Sequence, residues 1–210
     1  MFAYIKNRLL QKKKEESSYK VYSVEEMYKE LLKEIETFSA HSFHAQWQHD
    51  QYNKITENIP EATVIMVMDF PENFTCFYQN EIQGAYWGKN VVTIHPIVCF
   101  YLCPQHNVPV REYLDFITAD SHAVAEFVTR AVTHLGEERG LSVCRIIQFT
   151  DGCSAQYKSK TQFFDISQAM PDLNTTMERD FFGSCHGKGP CDGEGGVIKN
   201  SARRAAHNNY

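Results

Sequence analysis

Apolar positions along this chain follow two different rhythms, helical in the first quarter and extended after residue 60. Val24, Met27, Tyr28, Leu31, Leu32, Ile35 and Phe38 recur at steps of three and four, the spacing that gathers side chains on one face of an α-helix. Ser23 with Glu26 three residues on forms a capping box at its start. The polar, His-rich continuation runs to Asn58, and Pro60 breaks the helix. From Thr63 the run TVIMVM is unbroken, as expected of a strand covered on both faces. FTCFYQNEI and VVTIHPIVCFYL are β-rich and flank a turn at GAYWGKN. Pro96 marks the third strand as bent or at an edge. Ala123, Val124, Phe127, Val128, Ala131, Val132 and Leu135 predict a second amphipathic helix, capped by Asp120 and closed by Gly140. SVCRIIQFT reads as a fourth strand, SAQYKSKTQFFDI as a helix, MERDFFGS as a fifth strand and 194–206 as a last helix.

Three strands joined by short turns make an antiparallel meander, and strands that alternate with helices enter in parallel by crossover. The expected fold is therefore α/β, a mixed five-stranded sheet with flanking helices. An N-terminal helical segment, 1–60, precedes the sheet domain, 61–210.

Composition narrows the setting. With 43% apolar and 13% aromatic residues the chain supports a core. A net charge of −5 argues against a uniformly basic nucleic-acid coat but leaves room for a local basic groove. No run of eighteen apolar residues is present, so no membrane partner is expected. The first residues lack the apolar stretch and cleavage site of a signal peptide. The seven cysteines are odd in number and several sit in apolar runs, which fits free thiols in a reducing, intracellular compartment.

Asp69 follows the first strand and Asp151 the fourth, the strand ends at which open α/β sheets place ligands. If those strands are parallel neighbours, their backbones lie about 4.8 Å apart. Asp192 or Glu194 arrives as a third acid at the start of the last helix, and the sequence leaves both open. Three carboxylates suit Mg2+ or Mn2+, with phosphate as a further ligand. Singly, each acid is as well explained as a turn former or helix cap; the joint placement is what points to a site. Gln156 and Lys158, after Asp151, are placed to hold a phosphate at a helix start. His186, Lys188, Lys199, Arg203 and Arg204 put further donors and positive charge around the third acid. Cys153, Cys185, His186 and Cys191 have zinc-compatible chemistry but no finger spacing, and His41, His44 and His49 do not share one helix face. Glu72 lies three residues after Asp69 across Pro71, a poor match to the Asp-x-Glu of proofreading exonucleases.

The strings DFPEN, QNEIQGAYW, IHP, DGCSAQYKS and HGKGPCDGEGGVIK, in this order over 62–200, resemble a group of transposase-derived proteins of animal genomes. These read roughly D-F-x-E-N, Q-x-E-x-Q, H-P, D-G-C-x-x-Q-Y-K and H-G-K-x-x-C-D-G-x-G-G. The element order with its acids is similar to the ribonuclease-H-like catalytic core of DDE/DDD transposases and integrases. That resemblance implies Asp69, Asp151 and Asp192 as a metal-binding triad, and Mg2+- or Mn2+-dependent cleavage and strand transfer of DNA. It also implies DNA as a partner held through its backbone, a nuclear location, and room for a homo-oligomer. The first 60 residues hold no paired Cys/His zinc pattern, and the chain ends soon after the last helix, where full transposases continue. The expectation is a C-terminally truncated core. Its alternative is a catalytically silent, domesticated fragment that binds nucleic acid or another protein.

Overall fold

The computed structural model describes residues 4–5, 20–21, 23–71, 73–75, 91–118, 123–153, 156–183 and 189–208. Asp120, Glu72, most of the FTCFYQNEI run and the stretch from Ser184 to Lys188, with His186, lie outside them. The chain divides into two compact units, Met1–Gln46 and Trp47–Tyr210.

In the first unit, β1 (Tyr4–Ile5) pairs antiparallel with β2 (Lys20–Val21). Helix α1 (Val24–Glu57) begins here and ends in the second unit. Its capping box forms as expected: the Glu26 N–H donates to Ser23 Oγ at 3.3 Å, and the Ser23 N–H donates to the Glu26 carboxylate at 2.9 Å. Val24, Tyr28, Leu31, Leu32, Ile35 and Phe38 are all exposed.

The second unit is built on β3 (Thr63–Met68), β4 (Phe74–Thr75), β5 (Val91–Leu102), β6 (Pro109–Thr118), β7 (Arg145–Thr150) and β8 (Thr176–Phe181). Helices α2 (Val124–Glu137), α3 (Lys160–Leu173) and α4 (Pro190–Asn208) accompany them. The sheet is mixed and six-stranded. β3 runs parallel to β7, and β7 to β8, while β5 is antiparallel to both β3 and β6. Residues 97–100 of β5 pair with β3 and β6 at once, so the order across the sheet is β6-β5-β3-β7-β8. The short β4 pairs with the first two residues of β5.

Three expectations change. The sheet has six strands rather than five, because β6 was unread. Its signal is a period-two alternation, with Val110, Leu114 and Phe116 turned to the core and Arg111, Tyr113 and Ile117 to solvent. A turn at Cys103–Asn107 joins it to β5, with Asn107 at φ 52°. Pro96 does not mark an edge: β5 is paired on both sides, and Pro96 sits one residue outside the β3 ladder, which ends at Met68↔Ile97. Finally, α3 starts at Lys160 with Ser159 as its cap, and α4 starts at Pro190, four residues before Glu194.

β3 is buried throughout, and its alternation feeds two cores. Val64, Met66 and Met68 pack with Val124, Phe127, Val128, Ala131 and Leu135 of α2. Ile65 and Val67 face the other way, packing with Phe149, Cys191 of α4, and Tyr52 and Ile55 of α1. Helices thus cover both faces, the arrangement that parallel strands require. At the end of the sheet where β6 begins, Glu112 accepts from Tyr101, His134 and Arg139, tying α2 to the β5–β6 hairpin. Arg139 foremost holds the Glu112 carboxyl down to about 2. Among the described residues no helix is long and apolar enough to cross a membrane.

Candidate functional site

Register brings the first two acids together. Met68 pairs with Thr150 at the last step of the β3–β7 ladder, so Asp69 and Asp151 are the next residue on each of two parallel strands about 4.8 Å apart. One oxygen of each carboxylate is held by the chain that follows: the Phe70 N–H donates to Asp69 Oδ1 at 2.8 Å, and the Cys153 N–H to Asp151 Oδ1 at 3.2 Å.

The third acid comes from α4, whose first turn the sequence specifies locally. Gly189 is its cap, Pro190 takes the first helical position where no N–H is needed, and Asp192 reaches back to accept the Gly189 N–H at 3.0 Å. Cys191 anchors that turn. Its buried thiol donates to the Val67 carbonyl at 3.2 Å, and burial pushes its pKa up. That is a core thiol rather than a zinc ligand. Gly195, one turn on, lies against Pro71: a Cβ there would meet the proline ring at 2.9 and 3.1 Å. The absence of a side chain lets α4 close on the Asp69 loop.

Electrostatics separate the two rivals for third acid. Asp69 is raised from 3.8 to about 6, first by burial, then by the charge of Asp151, with Asp192 adding to it. Glu194 acts elsewhere: Asp115 of β6 is raised first by its own burial and then by Glu194. Asp192 thus contributes to the field at Asp69, and Glu194 to the field at Asp115.

The donors are placed unequally. Lys158 comes alongside the Asp151 loop: its Nζ would stand 3.1 Å from a Cβ at Gly152, and it lies 4.4 Å above the Phe181 ring. Gln156 and Lys158 precede α3 in a turn whose backbone N–H groups converge on the Cys153 carbonyl, so they are not in its first turn as expected. Lys199 and Arg203 follow Asp192 by seven and eleven residues on α4, which places all three along one face, about 10 and 17 Å apart from the acid. Arg203 lies 5.9 Å from the Phe74 ring. His186 and Lys188 fall outside the described residues.

Sequence reasoning missed the layer beneath the acids: His95, Arg179 and the depth of Tyr157. His95 and Tyr157 are fully buried, and Arg179 donates to Gln148, Gln162 and the Tyr157 carbonyl. The available signal was a lone His inside an apolar strand and a lone Arg on the inward phase of β8.

The three carboxylates are hard oxygen donors of the kind a divalent cation takes, and the mutual repulsion at Asp69 is what a cation relieves. Among the described residues, however, no group of three or more His, Cys, Asp or Glu side chains converges to hold a metal ion. One oxygen of each acid accepts a backbone N–H and the other is left to ligate, so a shared cation calls for the three side chains to draw together.

Gly193 and Gly196 have open space around the missing Cβ, unlike Gly195. Gly195→Ala is therefore expected to lower the melting temperature, since contact with a rigid ring costs about 1–3 kcal/mol and exceeds the gain in helix propensity of roughly 1 kcal/mol. Gly193→Ala and Gly196→Ala gain that propensity without the contact and should raise it. Thermal melts of the three variants check the contrast.

No curated protein and no solved structure matches this chain. Residues 48–210, which span the sheet and the three acids, match the family model described as Domain of unknown function (DUF8701), and the chain belongs to that family.

Proposed function

We propose that the sheet unit is a ribonuclease-H-like domain of the DDE/DDD transposase kind, in which Asp69, Asp151 and Asp192 hold Mg2+ or Mn2+ for DNA phosphodiester cleavage and strand transfer. One observation carries this reading. Asp69 and Asp151 end adjacent parallel strands, and Asp69 is raised to about 6 in a field shared with Asp151 and Asp192. The order β6-β5-β3-β7-β8, with an antiparallel pair beside parallel strands, supports the fold assignment.

When bound, the cation supplies positive charge for the attacking and leaving oxygens of an in-line displacement. The chain's own residues do the rest. The carboxylates fix the cation's place, and Lys158 offers a charge to a phosphate oxygen beside Asp151. Lys199 and Arg203 meet the DNA backbone along α4. A DNA substrate implies a nuclear location.

A second reading is a domain that binds DNA or a protein without chemistry. It is favoured by the three acids, which do not converge into a metal-holding group among the described residues. Supercoiled plasmid incubated with the purified chain separates the two. The catalytic reading predicts nicking that requires Mg2+ or Mn2+ and stops on chelation. The absence of both nicking and divalent-ion binding would remove it, and salt-sensitive DNA affinity alone would leave the second reading standing.

A further inference from the structure

The loops that carry Asp69 and Asp151 are joined underneath by buried side chains. His95, in the middle of β5, places its Nε2 3.1 Å from the Tyr157 hydroxyl. The Phe70 ring, next to Asp69 in the chain, meets the His95 ring edge-on at 4.3 Å and lies 5.7 Å from the Tyr157 ring. On the other side, the Tyr157 N–H donates to the Cys153 carbonyl at 2.9 Å, while the Cys153 N–H donates to Asp151. A continuous path of contacts therefore runs Asp69–Phe70–His95–Tyr157–Cys153–Asp151. Arg179 fixes its base by donating to the Tyr157 carbonyl at 3.2 Å and to Gln148 and Gln162 at 2.7 and 2.9 Å.

The pair is built to stay neutral. Burial drives His95 from 6.5 down to about 3, and burial with the nearby Asp69 and Asp151 raises Tyr157. The Nε2–hydroxyl contact is a hydrogen bond in either neutral tautomer, and Nδ1 is buried and meets no residue other than His95 itself. Such an orphaned atom costs stability, which argues for a role beyond packing.

We propose that His95 and Tyr157 are positioning residues for the acid site. Their hydrogen bond, backed by Phe70, ties the Asp69 loop to the Asp151 loop and keeps the two strand-end acids side by side for a divalent cation. The inference rests on the reading that these acids bind a cation.

Mn2+ titration and thermal melting of the full chain test it. Tyr157→Phe keeps the ring and removes the hydroxyl, and is expected to lower both the melting temperature and Mn2+ affinity, the latter about tenfold, as loss of a supporting contact behind a ligand does. Adding His95→Leu removes the orphaned nitrogen. Melting temperature should then recover while Mn2+ affinity stays low. Affinity that recovers with stability marks a purely structural role and overturns the proposal, as does unchanged affinity in Tyr157→Phe, which decides alone if the double variant does not fold. Wild-type protein that binds no Mn2+ overturns the acid site and the strut together; wild type that binds, with Tyr157→Phe binding equally, overturns the strut alone.

Discussion

Asp69→Asn should abolish divalent-dependent cleavage and at the same time make the protein more stable at neutral pH. The first effect follows from removing a charged ligand, with a loss of more than about 100-fold expected. The second follows from the displaced titration. Asp69 moves from 3.8 to about 6 because burial and the neighbouring acids penalise its charge. Between those values the folded protein binds a proton that the unfolded chain has released, so stability falls as pH rises through the window and the loss is complete above about 6. The displacement corresponds to at most ~3 kcal/mol. Solvent reaches part of the carboxyl and screens it, leaving roughly 1–2 kcal/mol, or about 3–6 °C in melting temperature. Asn carries no charge and escapes the penalty. The variant should therefore melt above wild type at pH 7 and level with it below about pH 4. Melting curves across that range check the sign, and a variant less stable at pH 7 would mean that Asp69 is a structural acid. The same linkage predicts that divalent ions bind more weakly as pH falls through 6, because proton and cation compete for one carboxylate.

The second large effect separates two acids that lie two residues apart. Asp192→Asn should reduce divalent affinity and nicking by more than about 100-fold, while Glu194→Gln leaves both within about threefold. The difference comes from the helix: Asp192 turns its field towards Asp69, and Glu194 turns towards Asp115. Asp192 also accepts the Gly189 N–H at the helix start; Asn keeps an accepting oxygen there and loses only the negative charge at the helix N-terminus, worth about 0.3–1 kcal/mol. That cost is read in the melt and is too small to account for a loss of binding of that size. Equal losses in both variants would place the third acid elsewhere or spread the role over the turn.

Much of the frame was legible because it is written in local periodicity. The capping box at Ser23, the doubly covered run 63–68 and the α2 stripe need only neighbours in sequence, and all three formed. Parallel entry of the fourth predicted strand followed from crossover topology; that it lies beside the first, which puts Asp69 and Asp151 on neighbouring strands, was a condition the sequence left open and the register supplies. β6 escaped because the inward Glu112 and the outward, apolar Tyr113 and Ile117 blur its alternation, and because Glu112 is inward by virtue of His134 on α2 and Arg139 just beyond it, 22 and 27 residues away. The start of α4 was placed late because its glycines read as a turn. What makes them helical is the Gly189–Pro190–Asp192 cap and, at Gly195, contact with a proline 124 residues earlier in the chain. Which strand Asp192 and Glu194 each face is encoded by no local pattern. The linkage of His95, Tyr157 and Arg179 was unreadable for the same reason, since their bonds join β5, β8 and the loop before α3.

The three-acid centre is tested most directly by a crystal structure of the protein grown with Mn2+, read from the metal's anomalous scattering. The site predicts a peak at about 2.0–2.3 Å from carboxylate oxygens of both Asp69 and Asp151, with Asp192 as the third protein ligand and Glu194 turned away. Carboxylates that stay on their backbone N–H groups, with no peak between them, would contradict a metal-dependent enzyme and leave a domain that binds without chemistry.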